Sequence, residues 1–325
     1  MPLPELGLFL PSNETTAGGQ QQLDFGRMLE IARNAEAAGF HSLWFPDHYF
    51  IQTGPGQVRG GFEAWTLLSA LAAATSRIKL GTLVLCNTFR HPAVLAKQAV
   101  SLQEISGGRV ILGLGAGWHE PEYKALGLPF DHRVSRLAES ATAIRELFDR
   151  GTSSFQGRWL KLHDAELTPR PKTPVPFWIA ASGDRMLDLT ARLADGWNLA
   201  WFGESPKPFA RKAEALRQAV AAAGRPANAV QLSVGVQAQV CESGGEDATF
   251  AALRKAMPQF ASAEPEQIKR GVLVGDAAAT RAALEGYAAA GASLAIVGMP
   301  GLSAIPADSA ALDRLFALTK SATAA

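Results

Sequence analysis

Residues 109–123 read RVILGLGAGWHEPEY. The glycines at 113, 115 and 117 close an apolar run, as they would at the end of a buried strand. A dinucleotide-binding fingerprint needs G-x-G-x-x-G opening a helix within one βαβ unit. Here the spacing is G-x-G-x-G, and Trp118 stands where the third required glycine belongs. A tryptophan there blocks the close helix–strand contact that glycine permits. The following HEPEY is polar and carries a proline, so no helix begins at once. A barrel strand uses such glycines differently. Its C-terminal end approaches a ligand with bare backbone, and glycine removes the side chain that would obstruct it.

The rest of the chain supports the barrel. ELGLFLP (5–11), SLWFPDHYF (42–50), RIKLGTLVLCN (77–87), RVILGLG (109–115), VPFWIAASG (175–183), GWNLAW (196–201), VQLSVGVQAQV (230–240) and ASLAIVGMP (292–300) read as strands. A helix-like pattern or helix-containing connection follows each. In 23–40, apolar residues recur at helical spacing, and Gly39 sits where a C-terminal cap belongs. Pro92 suits a first helical turn. Repeated βαβ units imply a parallel sheet with right-handed crossovers, and eight of them predict an α/β fold, a (β/α)8 TIM barrel with insertions at the C-terminal face. No Pro/Gly/Ser-rich linker divides the chain, so 1–325 reads as one domain. Residues 155–169 predict a short hairpin laid over the barrel. The long polar connections 11–22 and 241–270 are expected to border the active site and to include a lid or helical insertion, respectively.

Composition narrows the function. The 325 residues are 47% hydrophobic and 19% charged, with a formal net charge of +1. That balance points away from nucleic acid and acidic membrane surfaces. No basic, apolar leader precedes the first strand, and the longest apolar run, LLSALAAA (67–74), is far below the roughly 20 residues of a membrane span. Two cysteines do not make a disulfide framework. A cytoplasmic protein with no membrane partner is expected. No H-x-x-x-H, C-x-x-C, G-x-x-x-x-G-K-[ST] or G-x-S-x-G pattern occurs, so neither a metal site, a P-loop nor a nucleophile elbow is expected.

Four stretches, SLWFPDH (42–48), KLGTLVLCNTFRHPAVLAKQAVSLQEISGGRVILGLGAGWHEPEYKALGLPF (79–130), FWIAASGDRMLDLTARLADGWN (177–198) and GDAAATRAALEGYAAAGASLAIV (275–297), together resemble the bacterial luciferase-like monooxygenases and their deazaflavin-dependent relatives. The resemblance spans nearly the whole chain. It implies a (β/α)8 barrel that binds FMN or coenzyme F420 at its C-terminal face. The GAGW-x-E-x-EY-x-x-x-G-x-P-F stretch is more similar to the F420-using branch. F420 passes hydride only, whereas FMN also reacts with oxygen; in both cases the protein supplies position and electrostatics.

The same resemblance assigns roles to residues. His48 matches the catalytic or ring-contacting histidine, and imidazole suits proton transfer near neutral pH. Asp47 matches an acid beside the ring; a structural Asp-His pair capping the next turn is the alternative, and the strand-end position favours the functional role. Leu83 and Val84 match a non-proline cis peptide that bulges against the ring, and Cys86 and Asn87 match cofactor contacts. Cys86 reads equally as a small buried residue. Gly117 and Trp118 fall in the pocket floor. Some sugar-phosphate-oxidising F420 enzymes carry a proton-donating glutamate where this chain has Trp118, which argues against that substrate class. Trp118 then walls the pocket or packs under 119–130. Ser182, Gly183, Arg185 and Met186 match the cofactor-phosphate site at a helix start, where backbone N–H groups, a hydroxyl and a guanidinium favour an anion; a serine N-cap is the alternative. Trp197, Asn198 and Trp201 reach the pocket or fill the barrel.

Three functions follow. The first is an F420-dependent oxidoreductase moving hydride to or from a small organic substrate. The second is an FMN-dependent monooxygenase using reduced flavin and O2. The third is a flavin-binding carrier or sensor without catalysis. The resemblance also allows a homodimer through the alanine-rich barrel helices. Substrate identity lies with loops 11–22, 49–61 and 241–270.

Overall fold

A computed structural model describes residues 2–10, 13–15, 24–54, 57–299 and 310–320. Its strands β1 (Glu5–Phe9), β2 (Ser42–Phe45), β3 (Lys79–Thr82), β4 (Val110–Gly115), β5 (Phe177–Ala180), β6 (Gly196–Phe202), β7 (Gln231–Val240) and β8 (Leu294–Gly298) run parallel in chain order. The sheet closes where β8 pairs with β1, Leu294 opposite Glu5 and Gly298 opposite Phe9. The expected (β/α)8 barrel is therefore the architecture. Around it lie α1 (Phe25–Ala37), α2 (Ala64–Ala74), α3 (Pro92–Ile105), α4 (Arg133–Arg150), α5 (Asp184–Leu193), α6 (Lys207–Ala222), α7 (Ala277–Ala289) and α8 (Ala310–Lys320). No helix among the described residues is long and apolar enough to cross a membrane.

Side chains alternate across each strand, so one face meets the helices and the other fills the barrel. Leu6 and Leu8, Leu112 and Leu114, and Phe177 and Ile179 join the large outer core. Inside, Trp44, Ile111, Trp178, Leu294 and Ile296 form a separate cluster with Phe9 and Leu83 against it. The rings of Trp44 and Trp178 lie 5.3 Å apart and plug the lower barrel. Each needs a notch in a neighbouring strand. A Cβ at 81 would lie 2.6 Å from the Trp44 ring, and one at 196 would lie 2.2 Å from Trp178. Both positions are glycine.

The same alternation turns Gly113 and Gly115 inward. Gly115 lines the cavity at the strand ends, as expected of a strand end facing a ligand, whereas the space at Gly113 is taken by the protein's own backbone. A Cβ at 113 would fall 2.0 Å from the carbonyl oxygen of Thr82, and one at 115 would fall 2.5 Å from Val84. The third strand is interrupted between these contacts. Leu83–Val84 is a cis peptide, and Leu85–Cys86 resumes pairing with β4.

The insertions divide. Residues 241–270 form the expected helical insertion, Glu246–Ala256 and Pro265–Lys269, around Phe250, Leu253, Ile268 and Val272. The hairpin expected in 155–169 exists, with Ala165–Glu166 pairing antiparallel to Thr152–Ser153. It packs through Leu160 and Leu162 on Ala143 of α4, outside the barrel rather than over it. Over the mouth lies a small antiparallel sheet of Asn13–Thr15, Phe50–Gly54 and Gln57–Gly61. Most of the connection 11–22 falls outside the described residues.

At the start of β2, His41 carries a pH signature. Burial, then the nearby Lys79 ammonium, pushes its pKa down to about 4. Glu5 Oε2 lies 3.1 Å from Nε2, an arrangement that would favour a charged ring. Lys79 Nζ, 2.9 Å away, donates into that same nitrogen and keeps it neutral. The unfolded chain takes this proton near the ordinary 6.5, so it binds the extra proton between that value and 4. Stability should thus fall as pH drops through this window, by up to about 3 kcal/mol from this residue. His41→Gln should flatten the difference between urea unfolding at about pH 7.5 and about pH 4.5. An unchanged difference would remove His41 from the account.

Candidate active site

A cavity of about 710 Å³ opens at the C-terminal ends of the strands, the face where barrels of this kind carry their chemistry. Its size suits a small-molecule ligand. Asp47, His48, Leu83, Val84 and Cys86 line one side; Gly117, Trp118, Ser182 and Met186 line others. Asn87, Gly183 and Arg185 do not reach it. Asn87 is buried beside it, Gly183 caps α5, and Arg185 turns outward to donate to Ser135 Oγ at 3.1 Å. The 241–270 insertion contributes no lining residue.

His48 is held by Glu122. Its Nδ1 lies 2.8 Å from Glu122 Oε2, and with a carboxylate there Nδ1 carries the hydrogen. Nε2 is then the ring's free acceptor. Glu122 is itself fixed, because Oε1 accepts the backbone N–H groups of Tyr49 (2.7 Å) and Phe50 (3.2 Å). Its side chain is 2% exposed, and these three donors offset the cost of burying the carboxylate.

Contrary to the expectation that no helix begins at HEPEY, the short helix Glu120–Ala125 starts there and delivers Glu122; Pro121 falls in its first turn, where its missing N–H leaves no bond unmade. Tyr123, one residue on, anchors that helix by donating to Ala116 O at 2.8 Å, with Cys86 Sγ 3.0 Å away. Gly117 makes this possible. Its φ is +75°, and a Cβ there would lie 1.9 Å from the Tyr123 hydroxyl. Burial pushes the Cys86 thiol up to about 11, so the buried-residue reading fits better than a reactive one. His119 Nε2 accepts the Gln52 N–H at 3.0 Å. Burial lowers its pKa, in keeping with a neutral acceptor ring. Trp118 stands 63% exposed at the rim, edge-on to His48 with ring centres 5.4 Å apart. It walls the pocket, and its only packing on 119–130 among the described ring contacts is edge-on to His119, 5.1 Å between centres.

Asp47 does not pair with His48. It takes a two-pronged contact from Arg90 (2.7 and 3.0 Å) and the Cys86 N–H at 2.9 Å. Arg90 also pairs with Glu63. Burial would lower the Arg90 pKa, but the bonds and charges of Asp47 and Glu63 more than offset this and raise it. The salt-bridge network thus pins the Leu83–Cys86 bulge to the end of β2.

Asn198, on β6, lines the cavity. Its fully buried amide meets Ser233 Oγ at 2.6 Å, and that hydroxyl also reaches Trp197 O at 2.9 Å, so the amide is tied into the barrel wall. A cavity of this volume, walled by apolar groups such as Leu83, Val84, Ala180 and Leu199, fits a flat, largely apolar ring such as that of a flavin or deazaflavin. Trp197 faces outward and stacks on Phe209, whereas Trp201 lines the cavity beside Phe9, ring centres 4.8 Å apart. In the sequence Glu122 stood out only as one acid of the polar HEPEY stretch. Arg59, whose side chain lines the cavity from the mouth sheet, carried no sequence signal at all.

A family model described as luciferase-like monooxygenase matches residues 4–300. An F420-dependent glucose-6-phosphate dehydrogenase of Kineococcus radiotolerans is 30% identical over 311 residues, covering 86% of this chain and 89% of that protein. One of Amycolatopsis mediterranei is 38% identical over 176 residues, 52% of each chain, so the match spans about half the length of that relative. An F420-dependent secondary alcohol dehydrogenase, solved with an F420-acetone adduct, superposes with a TM-score of 0.78 over 97% of this chain and 98% of its own, at 20% identity.

Proposed function

The chain belongs to the luciferase-like monooxygenase family, and we propose that it works as an F420-dependent oxidoreductase on a small organic substrate, with His48 as its proton-handling residue. The observation that carries this reading is the His48–Glu122 pair at the cavity wall, beside the Leu83–Val84 bulge. F420, when bound, supplies or accepts the hydride. The Leu83–Val84 bulge would back the ring, and the first turn of α5, with Ser182 beside it, would receive the cofactor phosphate.

The chain's own residues handle the proton. When a substrate C–OH is oxidised, the hydride leaves carbon, and His48 Nε2 accepts the hydroxyl proton; in reduction the same nitrogen returns it. Glu122 fixes the tautomer that leaves Nε2 free and stabilises the charge the ring gains. Trp118, at the rim beside His48, presents no acid to a substrate. That supports a substrate other than a sugar phosphate.

Fluorescence titration of the purified protein with F420 and with FMN separates the cofactors. F420 is expected to bind at least about tenfold more tightly, a difference of about 1.4 kcal/mol. Preference for FMN would replace this reading with an FMN-dependent monooxygenase. Binding of neither by the folded protein would reject both.

A further inference from the structure

We propose that Arg59 receives the carboxylate of the substrate, so that this enzyme acts on a small apolar or aromatic carboxylic acid. This rests on the oxidoreductase reading and narrows its substrate class. Among the described residues, three with ordinarily charged side chains line the cavity: Asp47, Glu122 and Arg59. Asp47 is matched by Arg90, and Glu122 is engaged by His48 and two backbone N–H groups. Arg59 has no ion pair or side-chain hydrogen bond among the described residues, and its Nε is buried without a partner. A guanidinium dried at one nitrogen and left unpaired is a costly arrangement unless a ligand completes it.

The mouth sheet sets its direction. Arg59 lies opposite Ile51 in the antiparallel ladder, and both line the cavity. Residues directly opposite share one face of a sheet, so this pair looks down on the site. The guanidinium fork matches a planar carboxylate in a two-pronged contact. One cation suits one negative charge better than a phosphate dianion. The remaining walls supply the body of the ligand's surroundings: Phe9 and Trp201 edge-to-face, with Leu83 near them.

The cofactor's own anionic tail offers the same chemistry, but the topology separates the two. Arg59 belongs to the connection after β2, whereas the phosphate turn follows β5, three strands further round the barrel.

Benzoate and its uncharged isostere benzamide test this directly. Calorimetric binding of each is measured with and without F420, on the wild-type protein, Arg59→Gln and Arg59→Lys. Benzoate should bind at least about tenfold more tightly than benzamide. Arg59→Gln should abolish that preference, Arg59→Lys should restore part of it, and F420 affinity should stay unchanged in both. Equal binding of benzoate and benzamide to the wild type would overturn the proposal. So would weakened F420 binding in Arg59→Gln with benzoate unaffected, which assigns Arg59 to the cofactor. Glucose 6-phosphate bound more tightly than benzoate through Arg59 would overturn the carboxylate assignment. Should F420 fail to bind, the cofactor reading falls, and the measurements without it still decide the role of Arg59.

Discussion

Turnover with F420 should fall about 100-fold or more in His48→Ala, with F420 affinity unchanged. The expectation follows from geometry. Nδ1 is committed to Glu122 at 2.8 Å, so Nε2 is the nitrogen left to exchange a proton with substrate. A loss of 100-fold corresponds to about 2.7 kcal/mol of transition-state stabilisation. Glu122→Gln should also lower turnover, because the amide has one acceptor oxygen where the carboxylate has two, so either Nδ1 or the Tyr49 and Phe50 N–H groups lose theirs and the imidazolium is no longer stabilised. It should also shift the acidic limb of the pH–rate profile, which a purely structural change would leave in place. Steady-state kinetics across pH, beside F420 titration of both variants, reads these effects. Near-normal turnover in His48→Ala would reject proton transfer at this residue.

Gly113→Ala should destabilise the fold by more than about 3 kcal/mol, or prevent it from forming. The new methyl would meet the Thr82 carbonyl oxygen at 2.0 Å and Asn198 Nδ2 at 3.2 Å. Thr82 cannot easily retreat. Its Oγ1 donates to Gly113 O at 2.7 Å and accepts the Gly113 N–H at 3.0 Å. Gly183→Ala is the matched control, since a methyl there meets nothing within 4 Å. Its stability should change by less than about 0.5 kcal/mol. Urea unfolding of the two variants makes the comparison. A loss below about 1 kcal/mol for Gly113→Ala would show that the strand can shift to accept a side chain.

The barrel was legible because strand periodicity survives in this sequence. Leu112 and Leu114 face the helices while Gly113 and Gly115 face inward, and the same two-residue alternation repeats on the other strands. The cavity side chains were partly legible from strand ends: His48, Cys86, Trp118 and Ser182 all line it. What the residues engage was not. Asp47 and His48 are adjacent in sequence yet serve different networks, because Arg90 and Glu122 arrive from separate connections. Arg59 gave no sign, since its role depends on how a mouth hairpin folds back. Gly183 and Arg185 were placed by their nearness to a helix start, but the helix turns the arginine away from the cavity.

The tryptophan plug has a consequence for how this protein can change over time. Trp44 occupies the notch left by Gly81, and Trp178 the notch left by Gly196. A side chain can appear at either glycine only after its tryptophan has shrunk. A smaller residue at either tryptophan leaves a void unless the glycine grows. Each pair is thus a locked couple, and drift through the barrel floor has to be concerted. Among the described residues Arg59 fills no glycine notch of this kind, so the mouth can change at that position while the barrel floor stays fixed.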